Sequence, residues 1–197
     1  MPDSLGSGEV IVASGGTETE IKLRVANPLA VQTRLTSSGF QVTKPRVFET
    51  NTLYDYPDAS LRSRGNILRL RQVGGRSILT FKGPAEAAKH KTREELETSI
   101  GDAEIGRQIL ERIGLQPGFR YEKYRTEYER PNEHGVVTLD ETPVGWFLEL
   151  EGDCDWIDRT AAELGFREGD YITESYGSLY LKYCNENGIQ PALMTFR

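Results

Sequence analysis

Histidine is nearly missing. The chain has two histidines in 197 residues, His90 and His134. Each stands alone beside a charged neighbour and is expected at the surface. A Ser-His-Asp triad and a histidine-built metal centre are therefore not expected. Cysteine is equally scarce: Cys154 and Cys184 are the two present, and neither has CxxC spacing, so no zinc framework is expected. A disulfide between them is not expected either, because nothing points to an oxidising compartment. No GxGxxG and no GxxxxGK[ST] occurs, which removes both common nucleotide-loop motifs. No apolar run approaches the ~18 residues of a membrane span. The opening "MPDSLGSGE" lacks the basic start and apolar core of a secretory signal. Residues 1–16 are expected as a flexible tail, 17–197 as a single domain, and the location as cytoplasmic. Basic charge is not in surplus: 24 Lys+Arg face 30 Asp+Glu, for a net charge of -6. General nucleic-acid binders are usually basic, so that class is excluded, although a local cationic pocket is not.

What the chain does have is charge in phase. In "TETEIKLRV" (17–25), a strand puts Glu18, Glu20, Lys22 and Arg24 on one face and Thr19, Ile21, Leu23 and Val25 on the other. The pattern recurs. Arg69 and Arg71 share a face in "NILRLRQ". Arg76, Thr80 and Lys82 lie opposite Leu79 and Phe81 in "RSILTFK". Arg93, Glu95 and Glu97 line up in "REELETS", as do Lys123, Arg125, Glu127 and Glu129 in "YEKYRTEYE". Asp140 lies opposite Val137 and Leu139. Glu149 and Glu151 lie opposite Trp146, Leu148 and Leu150. Roughly seven strands thus share one design, with helical spacing at 28–38, 102–113, 155–164 and 174–186.

A solvated sheet face is the ordinary reading of such alternation. Here the charged faces hold few Ser, Thr or Gln. Like charges also repeat at i and i+2 (Glu18/Glu20, Arg69/Arg71, Glu149/Glu151), and such pairs repel unless something sits between them. The arrangement that satisfies both points is an α+β fold: an antiparallel sheet closed into a barrel, charged faces inward, helices outside. About eight strands leave a lumen for one small ligand. The cations imply a multiply charged anion. The carboxylates imply a hard divalent ion, Mg²⁺ or Mn²⁺. Polyanion, metal and Lys/Arg clamps together are the equipment of phosphoryl transfer.

The order of these segments resembles the CYTH superfamily, the triphosphate tunnel metalloenzymes. "ETEIK" matches its ExExK signature. "LYDYPD" is similar to its Tyr-x-Asp segment, and "LRLR", "LTFKGP", "KTREELE", "EKYRTEY", "TLDE" and "FLELEG" follow in order. "ESYGSLYLK" resembles the closing Ser-Tyr helix, with Tyr180 where an aliphatic residue is usual. The likeness runs over about 17–184 and is nearest to the class IV adenylate cyclase branch. It implies an eight-stranded antiparallel tunnel. It implies metal binding by Glu18, Glu20, Glu149 and Glu151, with Asp140 as a further candidate. It implies triphosphate binding by Lys22, Arg69, Arg71, Lys82, Arg93, Lys123 and Arg125, with Lys22 and Lys82 positioning the reacting phosphate; Lys182 is a weaker candidate. The substrate implied is ATP, converted to cyclic AMP and pyrophosphate. The alternatives are hydrolysis of inorganic or thiamine triphosphate, or a non-catalytic polyphosphate-binding module. No nucleic-acid or membrane partner is expected, and a homodimer is left open. Tyr54 or Phe48 is either a base-stacking platform or ordinary packing. Glu95, Glu97, Glu127 and Glu129 are either functional or salt-bridged. Lys44, Arg46, Arg62 and Arg64 are expected in solvent, and Trp146 and Trp156 in packing.

Overall fold

The computed structural model describes residues 14–86 and 88–196. Its elements are β1 (Ser14–Val25), α1 (Pro28–Ser37), β2 (Gln41–Asp55), α2 (Ser60–Ser63), β3 (Ile67–Val73), β4 (Arg76–Lys82), β5 (Lys91–Ile100), α3 (Ala103–Arg112), β6 (Gln116–Glu129), β7 (Val136–Thr142), β8 (Gly145–Glu151), α4 (Cys154–Glu163) and α5 (Tyr176–Asn187). The strands close in the order β1-β5-β4-β3-β2-β6-β7-β8, and every neighbouring pair is antiparallel. β1 starts at Ser14, inside the segment expected as a tail; the rest of that segment lies outside the described residues.

Seven strands follow the alternation read from the sequence. β2 does not, because its pairing with β6 slips between Val42 and Lys44, between Lys44 and Val47, and between Thr52 and Tyr54. Each slip breaks the period-two pattern. Pro45, which has no N–H to donate, sits among them.

The helices begin where the sequence offers caps. Asn27, Asp102, Asp153 and Ser175 each accept a backbone N–H at the start of α1, α3, α4 and α5. Past the end of α3, Gly114 takes φ +98°, a left-handed conformation that suits glycine. α1 and α4 coat one side of the barrel, packing Val31, Leu35, Ile157 and Ala161 on Ile21, Leu23, Val137, Leu139, Leu148 and Leu150. Each such aliphatic side chain, fully buried, contributes about 1.5–3 kcal/mol. α3 covers Tyr54 and Leu70 with Leu110. α5 behaves differently. Its Tyr176, Leu179, Tyr180 and Cys184 pack on Tyr121 and Phe147, which share the inward phase of Lys123 and Glu149. The helix therefore lies across one end of the barrel rather than along its side. Residues near the C-terminus seal that end: Met194 exchanges backbone hydrogen bonds with Arg120 and Glu122 (3.1 and 2.9 Å).

One expectation is corrected and several others are decided. His90 is buried, not at the surface, because Asp158 of α4 and Tyr171 enclose it; His134 is exposed. Tyr54 is buried under α3, and Phe48 packs against Tyr124 with ring centroids 5.1 Å apart, so neither faces the interior. Tyr180 is accommodated by its hydroxyl, which donates to the Leu193 carbonyl at 3.2 Å. Arg62 and Arg64 are exposed, Trp156 is buried and Trp146 is half-buried. Both cysteines are free thiols.

Candidate functional site

A cavity of about 480 Å³ fills the barrel. The inward phase of the strands delivers its walls. β1 supplies Glu18, Glu20 and Lys22. β3 and β4 supply Arg69, Arg71 and Lys82. β5 supplies Lys91, Arg93, Glu95 and Glu97. β6 supplies Tyr121, Lys123, Arg125 and Glu127, and β8 supplies Glu149 and Glu151. All seven cations proposed for triphosphate line this space, as do four of the five carboxylates proposed for metal. Asp140 does not. Lys44, expected in solvent, has an exposed side chain yet reaches the rim, where its Nζ lies 2.7 Å from Glu127. Lys182 is exposed and does not line the cavity.

The wall has two tiers. In the tier facing the cavity, carboxylates and ammonium groups interleave. Lys82 Nζ lies 2.6 Å from Glu18 Oε2 and 2.8 Å from Glu95 Oε2. Lys22 Nζ lies 3.2 Å from Glu20 Oε1 and 3.3 Å from Glu149 Oε1. Behind the cations stands a second tier of acceptors. Asp140, with no exposed surface, takes Arg125 through both oxygens (2.7 and 2.6 Å), Lys123 at 2.8 Å and the Tyr176 hydroxyl at 2.7 Å. Arg125 also contacts Glu149. Glu49 lies 3.6 Å from Arg71 and 3.8 Å from Lys123, and Asn51 Oδ1 accepts from Arg71 Nε at 3.1 Å. Arg69 donates to Thr80 at 3.2 Å and pairs with Glu95 and Glu97 at 3.8 and 3.7 Å. Glu95 and Glu97 thus hold a cation while facing the cavity.

The electrostatics follow from burial and neighbours. Burial alone would raise Glu20 and Glu149, but Lys22 acts on both, joined by Lys91 at Glu20 and Arg125 at Glu149. Both carboxyls stay well below the usual range. Burial also opposes the charge of Glu49, yet Lys123 and Arg71 bring it down to about 2. Glu18 moves the other way: burial raises it, and the facing Glu95 carboxyl adds to the effect. Glu151 is raised by burial. Tyr176 is pushed well up, first by burial and then by Asp140.

Among the described residues, no three acidic, histidine or cysteine side chains already converge as a metal cluster. The donor chemistry nevertheless fits a hard divalent ion. Glu20 and Glu151 are cross-strand partners, Glu149 is opposite Lys22 on the same pair of strands, and all their donor atoms are oxygen. Asp140 fits less well, because it is fully buried behind its cations and does not line the cavity.

Lys91, Glu49, Asn51 and Thr80 belong to this site, but none had been assigned a binding role from the sequence. Lys91 carries a usable signal, being in phase with Arg93 and Glu95. Glu49 and Asn51 carry little, because the slips in β2 hide their phase.

The CYTH domain family model matches residues 16–176. A protein of Methanocaldococcus jannaschii named "putative adenylate cyclase" is 32% identical over 134 residues, covering 68% of this chain and 75% of that one. A Vibrio parahaemolyticus structure with the same description superposes with a TM-score of 0.72 at 24% identity, covering 84% of this chain and 98% of that one. A Hippeastrum protein, described as a "putative adenylyl cyclase" that reveals a dominant triphosphatase activity, superposes with a TM-score of 0.61 at 19% identity, covering 88% of this chain and 97% of that one. The two structural likenesses establish shared fold.

Proposed function

The chain belongs to the CYTH domain family, and from that premise we propose that it is a divalent-metal-dependent enzyme acting on a triphosphate. The first reading is a class IV-type adenylate cyclase that converts ATP to cyclic AMP and pyrophosphate in the cytoplasm. The observation that carries the proposal is the convergence of seven cations from five strands on the cavity of one closed barrel, which also holds paired carboxylates. The name of the archaeal relative favours cyclisation.

In this reading Arg69, Arg71, Arg93, Lys123 and Arg125 neutralise phosphate oxygens, and the planar guanidinium forks suit that task. Asp140 keeps Lys123 and Arg125 aimed from behind, and Glu49 does the same for Arg71 and Lys123. Lys22 and Lys82 hold the reacting phosphate. Glu18, Glu20, Glu149 and Glu151 would hold Mg²⁺ or Mn²⁺, which when bound neutralises charge and polarises phosphoryl oxygens. Asp140 is left out of that set because it is fully buried behind Arg125 and Lys123 and does not line the cavity. In cyclisation the ribose 3′-hydroxyl attacks the α-phosphorus and pyrophosphate leaves.

A second reading, hydrolysis of inorganic or thiamine triphosphate by attack of water at the γ-phosphorus, is favoured by one specific observation. Neither Tyr54 nor Phe48 faces the cavity, whose aromatic lining is Tyr121 and Tyr176 of the sealed end, so neither of those two candidates offers a platform for a base. The same clamp serves both reactions.

A product assay separates them. Purified protein receives ATP, inorganic triphosphate or thiamine triphosphate with Mg²⁺ and then Mn²⁺, at neutral and alkaline pH. Cyclic AMP with pyrophosphate supports the first reading. Orthophosphate without cyclic product supports the second. No turnover with any of them removes the enzymatic proposal.

A further inference from the structure

The triplet Lys89-His90-Lys91 divides across the barrel wall. Lys89 and His90 stay outside and both reach Asp158, with Lys89 Nζ 2.9 Å from Oδ2 and the His90 Nε2 2.9 Å from Oδ1. The Tyr171 hydroxyl donates to the same Oδ1 at 3.0 Å. Lys91 turns inward, and its ammonium lies 2.7 Å from Glu20 Oε1. The backbone of this strand start is therefore pinned from outside, and the freedom that remains belongs to the Lys91 side chain.

Glu20 Oε1 is crowded. Besides Lys91 it has Lys22 Nζ at 3.2 Å and Arg93 Nη2 at 3.9 Å, so three cations share one carboxylate oxygen. Carboxylate oxygens bind divalent ions at about 2.0–2.6 Å. An ion on Oε1 would lie within about 5 Å of the Lys91 ammonium, and like charges that close repel. Lys22 is the wrong group to give way, because Glu149 also holds it at 3.3 Å. Arg93 is farther off and is shared with Glu18 at 3.9 Å. Among the described residues, Glu20 is the single anion within salt-bridge distance of Lys91. Lys91 also lines the cavity beside Lys82 and Arg93, so the space it would turn into is the space for phosphate.

We propose that Lys91 is an exchange cation: it balances Glu20 until a divalent ion takes that carboxylate, and its ammonium then moves to a phosphate oxygen of the substrate. Metal entry and phosphate binding are thereby linked through one side chain. The inference rests on the metal and triphosphate roles proposed above.

Titration calorimetry tests it with Mn²⁺ alone and, separately, with inorganic triphosphate in metal-free buffer. The proteins are wild type, Lys91→Met, Lys91→Gln, Lys91→Arg and Glu20→Gln, each checked for folding by thermal melting. The two neutral variants are expected to bind Mn²⁺ about tenfold more tightly, and metal-free triphosphate about tenfold more weakly, than wild type. Lys91→Arg, which keeps the charge, is expected to leave Mn²⁺ affinity near wild type. Either neutral variant suffices if the other does not fold. Unchanged or weaker Mn²⁺ binding in the neutral variants, with binding lost in Glu20→Gln, overturns the exchange role and leaves the metal role standing. Wild-type Mn²⁺ binding in Glu20→Gln removes the metal role of Glu20 and the exchange with it.

Discussion

Tyr176 opens α5 and Asp140 lies on β7, yet the tyrosine hydroxyl donates to Asp140 Oδ2 at 2.7 Å with both groups buried. The same aspartate holds Lys123 and Arg125. The tyrosine ring lies under two ammonium groups, Lys22 at 5.4 Å and Lys123 at 5.3 Å from its centroid. One residue of the end helix thus touches the cation array directly and through its anchor.

Tyr176→Phe keeps the ring and removes the donor. It is expected to lower stability by about 1 kcal/mol and to raise KM for the triphosphate severalfold with little change in kcat, since loosened cations weaken binding. Tyr176→Leu, which also removes the ring, should raise KM further. Steady-state kinetics and thermal melts check both. An unchanged KM in Tyr176→Phe would show that Asp140 positions its cations unaided.

Glu149→Gln keeps the shape of the side chain and removes its charge. Arg125 retains both oxygens of Asp140, so the fold should persist. Metal-dependent turnover is expected to fall by about a hundredfold or more, the several kcal/mol that charge stabilisation by a bound ion supplies. Intact turnover would remove Glu149 from the metal set.

Glu49 provides a test in acid. Its folded value, about 2, lies below the usual 4.5 because Lys123 and Arg71 outweigh the effect of burial. The unfolded chain therefore takes up this proton first as pH falls. The stabilisation is complete above about 4.5 and is lost between about 4.5 and 2. In melts over that range the wild-type Tm should fall. Glu49→Gln should start lower at neutral pH and fall less steeply. Parallel curves would mean that another carboxylate governs the acid limb.

Gly135 tests the outer packing. A Cβ there would come within 2.4 Å of the Trp156 ring. The ring has little freedom to swing away, because its Nε1 donates to Glu133 at 2.6 Å. Gly135→Ala should cost about 1–3 kcal/mol, read as a lower midpoint in urea, while activity per folded molecule stays the same. A midpoint equal to wild type would mean that the indole repacks freely.

The barrel was legible wherever charged and apolar residues alternate without a slip. Glu18, Glu20 and Lys22, or Arg69 and Arg71, need only strand geometry to be placed inside. β2 resisted because its slips alternate the phase, and Glu49 and Asn51 were lost with it. His90 was misread because its burial depends on Asp158 and Tyr171, which are distant along the chain. Asp140 shows a different limit. Its inward phase could be read, but its depth behind Arg125 and Lys123 depends on side-chain reach across three elements. The choice left open for Tyr54, base platform or packing, falls to packing, because α3 covers it with Leu110, a contact that strand alternation alone does not reveal.

Closure of β1 onto β8 also sets a timetable for the growing chain. Glu20 has Lys91 and Glu151 as its cross-strand partners, so the earliest strand waits for nearly the latest before its place is complete. Until Gly145–Glu151 has been synthesised, β1 and β7 each present an unpaired edge, and such edges invite association with other chains. Pairings this remote in sequence form slowly. Addition of β8 joins those two edges and closes the ring.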